Sequence, residues 1–514
     1  MKYSRKTLIL TIFAVLIFVN LSAQKPAIIK IDTNRKIGEI DRNIYGSFIE
    51  PLYTVVYPKL YDPESKLADE NGFRKDLIEL SKELKIPVVR WPGGNYVSGY
   101  NWEDGIGPKE LRPIRMELAW NALDKNQMGT DEYSKFCELI GAKNFVCINA
   151  GTGTLDQARH WVEYCNVEKG TYYSDLRRKY GNEKPYDVKY WALGNEIDGY
   201  WQMGHKNVED YCKFALEAAK LMEWTDKTIK LIACGAAEYK PDNGWIEWNR
   251  YILQHLAGHM DYLSVHRYVE RPKDDFAGFM AMGCDLDRKI VINKCLIEET
   301  KYNIAYGPLT SMLQQLDQPG PKKPVYISFD EWSGAGYDLA SALMVAQHLN
   351  AFVRNADVVK MANFTLLTEL IGYSPEGDFK TAIYQPFYLF SNNCSGSSLD
   401  VFTDCENYST NKFGNVPYLD VTAAYNQAND QLVINIVNRH EVKNMPTSIL
   451  LQEGEFAGEA FVYEVNGKSI NSVNTKDEQN VGIKTEKIKL KGNTLSYEFP
   501  CHSFTQIVLK LKSK

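Results

Sequence analysis

The chain has 514 residues, of which 44% are hydrophobic and 24% charged, with a formal net charge of −6. That length suggests roughly two to four domains of ordinary globular balance. The acidic net charge, with no basic tract, argues against a nucleic-acid partner. Aromatic residues reach 12%, with 32 Tyr and 10 Trp. This fits a large aromatic-rich core, and equally a carbohydrate enzyme, because sugar faces stack on aromatic rings.

The N-terminus reads as an export leader over 1–23. "MKYSRK" is a positive n-region, "TLILTIFAVLIFVN" an apolar run of signal-peptide length, and "LSAQ" a small-residue cleavage site near Ala23. The mature chain would then start near Gln24 and be secreted or periplasmic. The alternative is an uncleaved anchor. The run is short for a membrane span, and no later segment is long and apolar enough, so the mature chain is expected to have none. No Cys follows the run, which argues against a lipid anchor.

After the leader, "AIIKIDTNRKIGEI" (27–40) reads as β structure. The segment 24–43 is expected to precede the main domain and to add strands to a later one. From 44 to 384, short apolar runs recur, many ending in Gly, Asn, Glu or His: 44–50, 86–95, 145–153, 190–196, 231–237, 262–268, 325–332 and 358–367. Continuous apolar runs suit strands buried on both faces, as in a parallel sheet. Stretches such as 73–85 and 208–224 place apolar residues at helical spacing. Eight strands alternating with helices predict an α/β fold, a (β/α)8 TIM barrel.

A doubly wound open sheet is the alternative, but it would usually carry a Gly-rich phosphate loop after its first strand. "IYGSFIEPLY" has none. "GTGTLDQA" (151–158) lacks both the dinucleotide fingerprint and the P-loop Lys, and reads as a turn before a helix. From 385 to 514 the texture changes to strand-like alternation with Asn, Gly and Asp turns, which predicts an all-β C-terminal β-sandwich domain.

Ten cysteines are spread along the chain without a CxxC pair, so a zinc site is not expected. Several sit inside apolar runs, where a free Cys behaves as a small hydrophobe. Cys394 and Cys405 flank a loop-like stretch, and a bridge between them is one expectation.

In a (β/α)8 barrel the active site lies at the C-terminal strand ends. Glu50 closes the first predicted strand, Arg90 and Asn95 the second, Asn195 and Glu196 the fourth, His266 and Tyr268 the sixth, and Asp330 and Glu331 the seventh. Glu196 and Glu331 would face each other over one cleft. A glycosidic bond needs two such carboxyl groups, one to protonate the departing oxygen and one to attack the anomeric carbon or activate water. Their tasks require pKa values pushed apart. A lone Glu at a strand end is usually a salt bridge or cap. Two within this polar set point to catalysis.

"GNE" closing strand four and "DEW" closing strand seven resemble the signatures of the large clan of retaining glycosidases with glutamates on those strands. "NGFRKDLIELSKELKIPVVRWPGGNYVSGYNWEDGIGP", "NAGTGTLDQARHWVEYCN" and "WALGNEIDGYWQMGH" are similar, more specifically, to glycoside hydrolase family 51, typically α-L-arabinofuranosidases. The resemblance implies Glu196 as general acid/base and Glu331 as nucleophile in a retaining double displacement. It implies Asn195 on the sugar 2-hydroxyl, Glu50 and Asn95 on other hydroxyls, Arg90 holding Glu331 ionised, and Tyr268 supporting it. His266 would shape the floor or be a hydrogen-bonded core histidine. Trp201 would line the leaving-group side or simply pack.

No metal or organic cofactor is implied. The implied partner is an arabinose-containing polysaccharide or oligosaccharide, and homo-oligomers are implied as well. Two departures stand out. Leu366 occupies the position where the family has a sugar-contacting Gln, and the stretch after Glu50 lacks the usual His. Competing readings are a β-xylosidase, an endo-acting glucanase, or a non-catalytic carbohydrate-binding protein.

Overall fold

The computed structural model describes residues 25–52, 55–239, 244–306 and 324–512. The expected leader at 1–23 lies outside the described residues. No helix among the described residues is long and apolar enough to cross a membrane.

Eight parallel strands close into a barrel: Gly46–Phe48, Val88–Trp91, Lys143–Cys147, Tyr190–Ala192, Lys230–Cys234, Tyr262–Arg267, Tyr326–Trp332 and Val359–Thr365. The eighth pairs with the first, Asn363 opposite Gly46, which removes any free edge. Each strand lies within one of the eight predicted apolar runs, apart from a residue or two at the start of the third and fifth. The continuity of those runs has a simple cause. Val88, Phe145, Tyr190, Ala192, Ile232 and Tyr262 fill the barrel interior. Their neighbours Val89, Val146, Trp191, Leu231 and Leu263 pack outward against the helices. Both faces are buried, so both are mainly apolar, and the charged exceptions such as Arg90 and Glu331 are paired.

Amphipathic helices cover the barrel. Lys75–Glu83 and Val208–Thr225 coincide with the two helical stretches read from spacing. Helix Leu155–Asn166 starts at the "GTGT" turn. Thr154 caps it, accepting from the Gln157 amide at 3.1 Å, while the Gln157 side chain returns the bond at 3.0 Å.

The C-terminal part is a sandwich of a four-stranded and a seven-stranded sheet. Ile29, Ile449 and Phe499 from one sheet and Ile434, Val462 and Ile507 from the other share one core. The N-terminal segment enters both. Ala27–Ile31 lies between Phe402–Asp404 and Met445–Leu451, and Lys36–Glu39 pairs with Ser397–Leu399. The outer face of the larger sheet rests on the barrel, where Val433, Val437 and Phe504 join the main core.

Helix Tyr384–Asn393 spans the boundary expected near 385. It packs on both sides of that boundary: Phe387 stacks towards Trp332 of the barrel, and Phe390 stacks on Phe504 of the sandwich at 5.2 Å. The expected Cys394–Cys405 bridge is not formed, and all ten cysteines are free. Cys394 is buried beside Asn435, whose amide lies 3.6 Å from its sulfur, whereas Cys405 packs against the sandwich core.

Candidate active site

The seventh strand builds the centre of the site through an irregularity. Against both neighbouring strands it carries one extra residue between Phe329 and Trp332. Strict alternation would put those two rings on opposite faces. The bulge lets both face the helix layer, where each packs on Phe352, at 4.8 and 5.2 Å. Asp330 and Glu331 lie between them. Bulges of this kind re-aim side chains next to active sites.

Glu331 is buried and held from three sides. Arg90 Nη1 donates to its Oε1 at 2.8 Å, Tyr268 Oη donates to its Oε2 at 2.5 Å, and His266 Nδ1 stands 3.7 Å from Oε2. Burial alone would raise its pKa, but His266, Arg90 and the Tyr268 hydrogen bond outweigh that and hold it below the ordinary carboxylate value. Glu331 is therefore ionised at neutral pH.

Glu196 follows the fourth strand at φ 44°, in the left-handed region that non-glycine residues occupy at a cost. Such strained positions cluster at functional sites. His266 Nδ1 lies 2.9 Å from Glu196 Oε1, and Trp201 Nε1 donates to Oε2 at 2.7 Å. An oxygen of Glu196, an oxygen of Glu331 and a ring nitrogen of His266 all lie within 4.8 Å of one another. These are metal-ligating residue types, yet the fixed charge of Arg90 on Glu331 disfavours a cation there.

Arg90 joins the two halves. Its Nη2 donates to Asn195 Oδ1 at 2.5 Å, and its guanidinium lies over the Phe48 ring, 5.0 Å from the ring centre. Asn195 Nδ2 is buried and has no partner among the described residues. A donor left unpaired beside two catalytic-type carboxylates is available to a ligand hydroxyl. His266 is buried and hydrogen-bonded within the carboxylate cluster.

Glu50 reaches the site from the loop after the first strand. Tyr96 N and Trp120 Nε1 donate to its Oε1 at 2.9 and 3.2 Å. Burial, reinforced by the Glu331 charge, pushes its carboxyl up to about 8. Gly94 passes between the two acids. A Cβ there would stand 3.1 Å from Glu331 Oε1 and 3.2 Å from Glu50 Oε2, so a glycine permits the close approach. Asn95 follows directly, half-buried at the start of a 3-10 turn, with its side chain hydrogen-bonded to no other described residue. Leu366 is buried against Phe48 and Val55 and presents an apolar surface where a Gln was expected.

Trp120 and Asp198 were not anticipated from the sequence. Trp120 sits in the turn of a short hairpin, Arg115–Glu117 with Ala122–Asp124, shaped by Glu117 accepting from the Ala119 and Trp120 amides. A lone Trp in the short stretch "ELAWNALD" was the available signal. Asp198 accepts from Ala237 N and ties the loop after Glu196 to the fifth strand, with burial raising its pKa to about 6.

Comparison with known proteins identifies the family. Residues 80–273 match the family description "Alpha-L-arabinofuranosidase 1 domain" and residues 329–503 match "Alpha-L-arabinofuranosidase C-terminal domain". The chain is 37% identical to a probable α-L-arabinofuranosidase C of Aspergillus clavatus, over 95% of this chain and 98% of that one. It is 35% identical to an intracellular exo-α-(1→5)-L-arabinofuranosidase of Bacillus subtilis, over 95% and 100%. The crystal structure of the Thermotoga maritima α-L-arabinofuranosidase arabinose complex superposes with a TM-score of 0.84 at 33% identity, covering 94% of this chain and 100% of that one. The chain belongs to glycoside hydrolase family 51, the α-L-arabinofuranosidases.

Proposed function

We propose that this protein is an exported, retaining α-L-arabinofuranosidase that releases terminal arabinofuranosyl groups from arabinan, arabinoxylan or derived oligosaccharides. The observation that carries the reading is the carboxylate pair, with oxygens of Glu196 and Glu331 within 4.8 Å. That closeness fits the separation of about 5–5.5 Å found in double-displacement glycosidases. An inverting enzyme instead sets its two carboxyl groups roughly 6.5–9.5 Å apart to leave room for a water.

In this mechanism the ionised Glu331 attacks the anomeric carbon while Glu196 donates its proton to the departing oxygen. A covalent glycosyl–Glu331 ester forms and the alcohol leaves. Glu196, now a carboxylate, takes a proton from water, which attacks the same carbon and frees Glu331. Arg90, Tyr268 and His266 keep the attacking oxygen charged. The unpaired Asn195 amide is placed to meet the 2-hydroxyl as charge develops on the ring. Glu50 and Asn95 would take other hydroxyls.

Proton NMR of the first-formed sugar tests the reading. Product with the substrate's own anomeric configuration supports it, and the opposite configuration refutes the nucleophile. Turnover of an aryl α-L-arabinofuranoside, compared with an aryl β-xyloside and soluble glucan, tests the sugar. Leu366 makes this comparison necessary, since an apolar side chain cannot hydrogen-bond a hydroxyl.

The export part rests on residues 1–23 alone and sets this chain apart from its Bacillus subtilis relative, which is named intracellular. N-terminal sequencing of the mature protein, expected to begin near Gln24, tests it. Assembly into homo-oligomers belongs to the same reading, and light scattering decides it.

A further inference from the structure

The loop after Glu196 is pinned tightly. Gly199 N bonds Glu196 O at 2.8 Å, Gln202 N bonds Gly199 O at 3.0 Å, and Lys206 N bonds Ile197 O at 3.0 Å. The Gln202 side chain is anchored on Ser98, and the Asp198 carboxylate on Ala237 N. The Trp201 ring lies so close to Gly199 that a Cβ there would sit 2.5 Å from the indole, so the ring is locked by the backbone. Its N–H ends on Glu196.

One residue of this loop has no structural task. Tyr200 is 88% exposed, the highest value among the large apolar side chains of the described residues. Its side chain makes no hydrogen bond to another described residue. Its one ring contact is Trp201, at 5.3 Å and 80°, so the two rings form a right-angled corner. Trp201 is itself 39% exposed. Holding a bare aromatic ring in water on a rigid loop gains nothing for folding. An aromatic ring with a polar tip is suited to a ligand that is apolar on its faces and polar at its edges, as a sugar is.

Because Trp201 donates to Glu196, the corner lies on the side from which the acid acts, where the departing alcohol must stand. We propose that Tyr200 is an acceptor-side binding residue: with Trp201 it forms a corner that seats the departing sugar chain beyond its first residue. The preferred substrates would then be oligosaccharides or polymers with two or more sugars on the leaving-group side. The inference rests on the reading of Glu196 as the proton donor to that group, and it identifies the substrate class as chains rather than single substituents.

The test is kinetic, on the full-length mature protein. Three substrates are compared: an aryl α-L-arabinofuranoside, an arabinose disaccharide and the corresponding trisaccharide. In Tyr200→Ala, kcat/KM on the aryl glycoside stays within twofold of wild type. On the trisaccharide it falls five- to tenfold, mainly through KM, and on the disaccharide it changes less. Tyr200→Phe, which keeps the ring, restores the trisaccharide value. An unchanged trisaccharide-to-disaccharide ratio in Tyr200→Ala, or an equal loss on all three substrates, overturns the proposal. Wild-type protein inert on the aryl glycoside would instead refute the proposed function.

Discussion

Two of the buried charge clusters among the described residues are finished differently. At the barrel–sandwich junction, Asp420 accepts from Arg354, from Asn350 at 3.1 Å and, as an ion pair at 3.4 Å, from Arg439. Arg354 also reaches Asp287 at 2.6 Å, and Arg439 reaches Gln347 at 2.6 Å and Pro417 O at 2.9 Å. Thr422, Asn435 and Gln506 continue the chain of bonds without a gap. At the barrel mouth, Arg90 Nε and Asn195 Nδ2 are left without partners among the described residues. A buried network that is fully satisfied specifies one docking of two domains. A network left open keeps its last bonds for something that arrives later. The same chemistry is closed on itself in one place and, under the proposed function, left for a sugar hydroxyl in the other.

The comparison predicts that the two clusters fail in separable ways. Glu331→Gln should lower kcat/KM at least roughly a thousandfold, about 4 kcal/mol of transition-state stabilisation, while thermal unfolding stays close to wild type. Asp420→Ala should do the reverse. It leaves the buried Arg439 guanidinium and the partly buried Arg354 short of their partner and should cost about 3–5 kcal/mol of folding stability, read by denaturant unfolding, with kcat per folded molecule little changed. If Asp420→Ala abolished activity in fully folded protein, the separation would be wrong.

Glu196→Ala should lose about 10²–10⁴-fold on substrates with poor leaving groups and far less on activated aryl glycosides in the glycosylation step. Equal losses on both would remove its acid role.

Glu50 sharpens the contrast further. Its carboxyl titrates near 8 in the folded protein, well above its unfolded value of about 4.5. The folded state then holds a proton that the unfolded state has lost, so this group's contribution to stability declines as pH rises from about 4.5 to about 8. In Glu50→Gln the decline is absent. The difference in unfolding temperature, variant minus wild type, should therefore widen across that window and level off above it. The smallest effect is expected for Trp201→Phe. Removing one N–H from Glu196 should lower kcat on poor leaving groups about two- to tenfold and spare activated ones.

The barrel was legible because its physics is repetitive. Eight strands buried on both faces cannot avoid reading as apolar runs, and the residues that break each run mark the functional end. Glu50, Arg90, Asn195, Glu196, His266, Tyr268 and Glu331 could be named that way. What could not be read was local geometry. The extra residue between Phe329 and Trp332 leaves no compositional trace, because a bulge is visible only against its neighbours. Trp120 arrives on a short hairpin whose turn is shaped locally by Glu117 but whose place at the site depends on Glu50, a contact 70 residues away in sequence. The boundary near 385 was blurred because helix Tyr384–Asn393 buries one ring in each domain, so apolar pattern alone could not divide them.

The threading of Ala27–Ile31 into the sandwich has a consequence for how the molecule is made. Its partner Met445–Leu451 is synthesised almost last. A nascent chain therefore carries an unpaired leading strand throughout the folding of the barrel, and the sandwich can close only when both termini are free to meet. Shortening the polypeptide from the carboxyl side past Met445 would strand that first strand, and a bulky fusion at the amino end would sit beside its seam with Met445–Leu451.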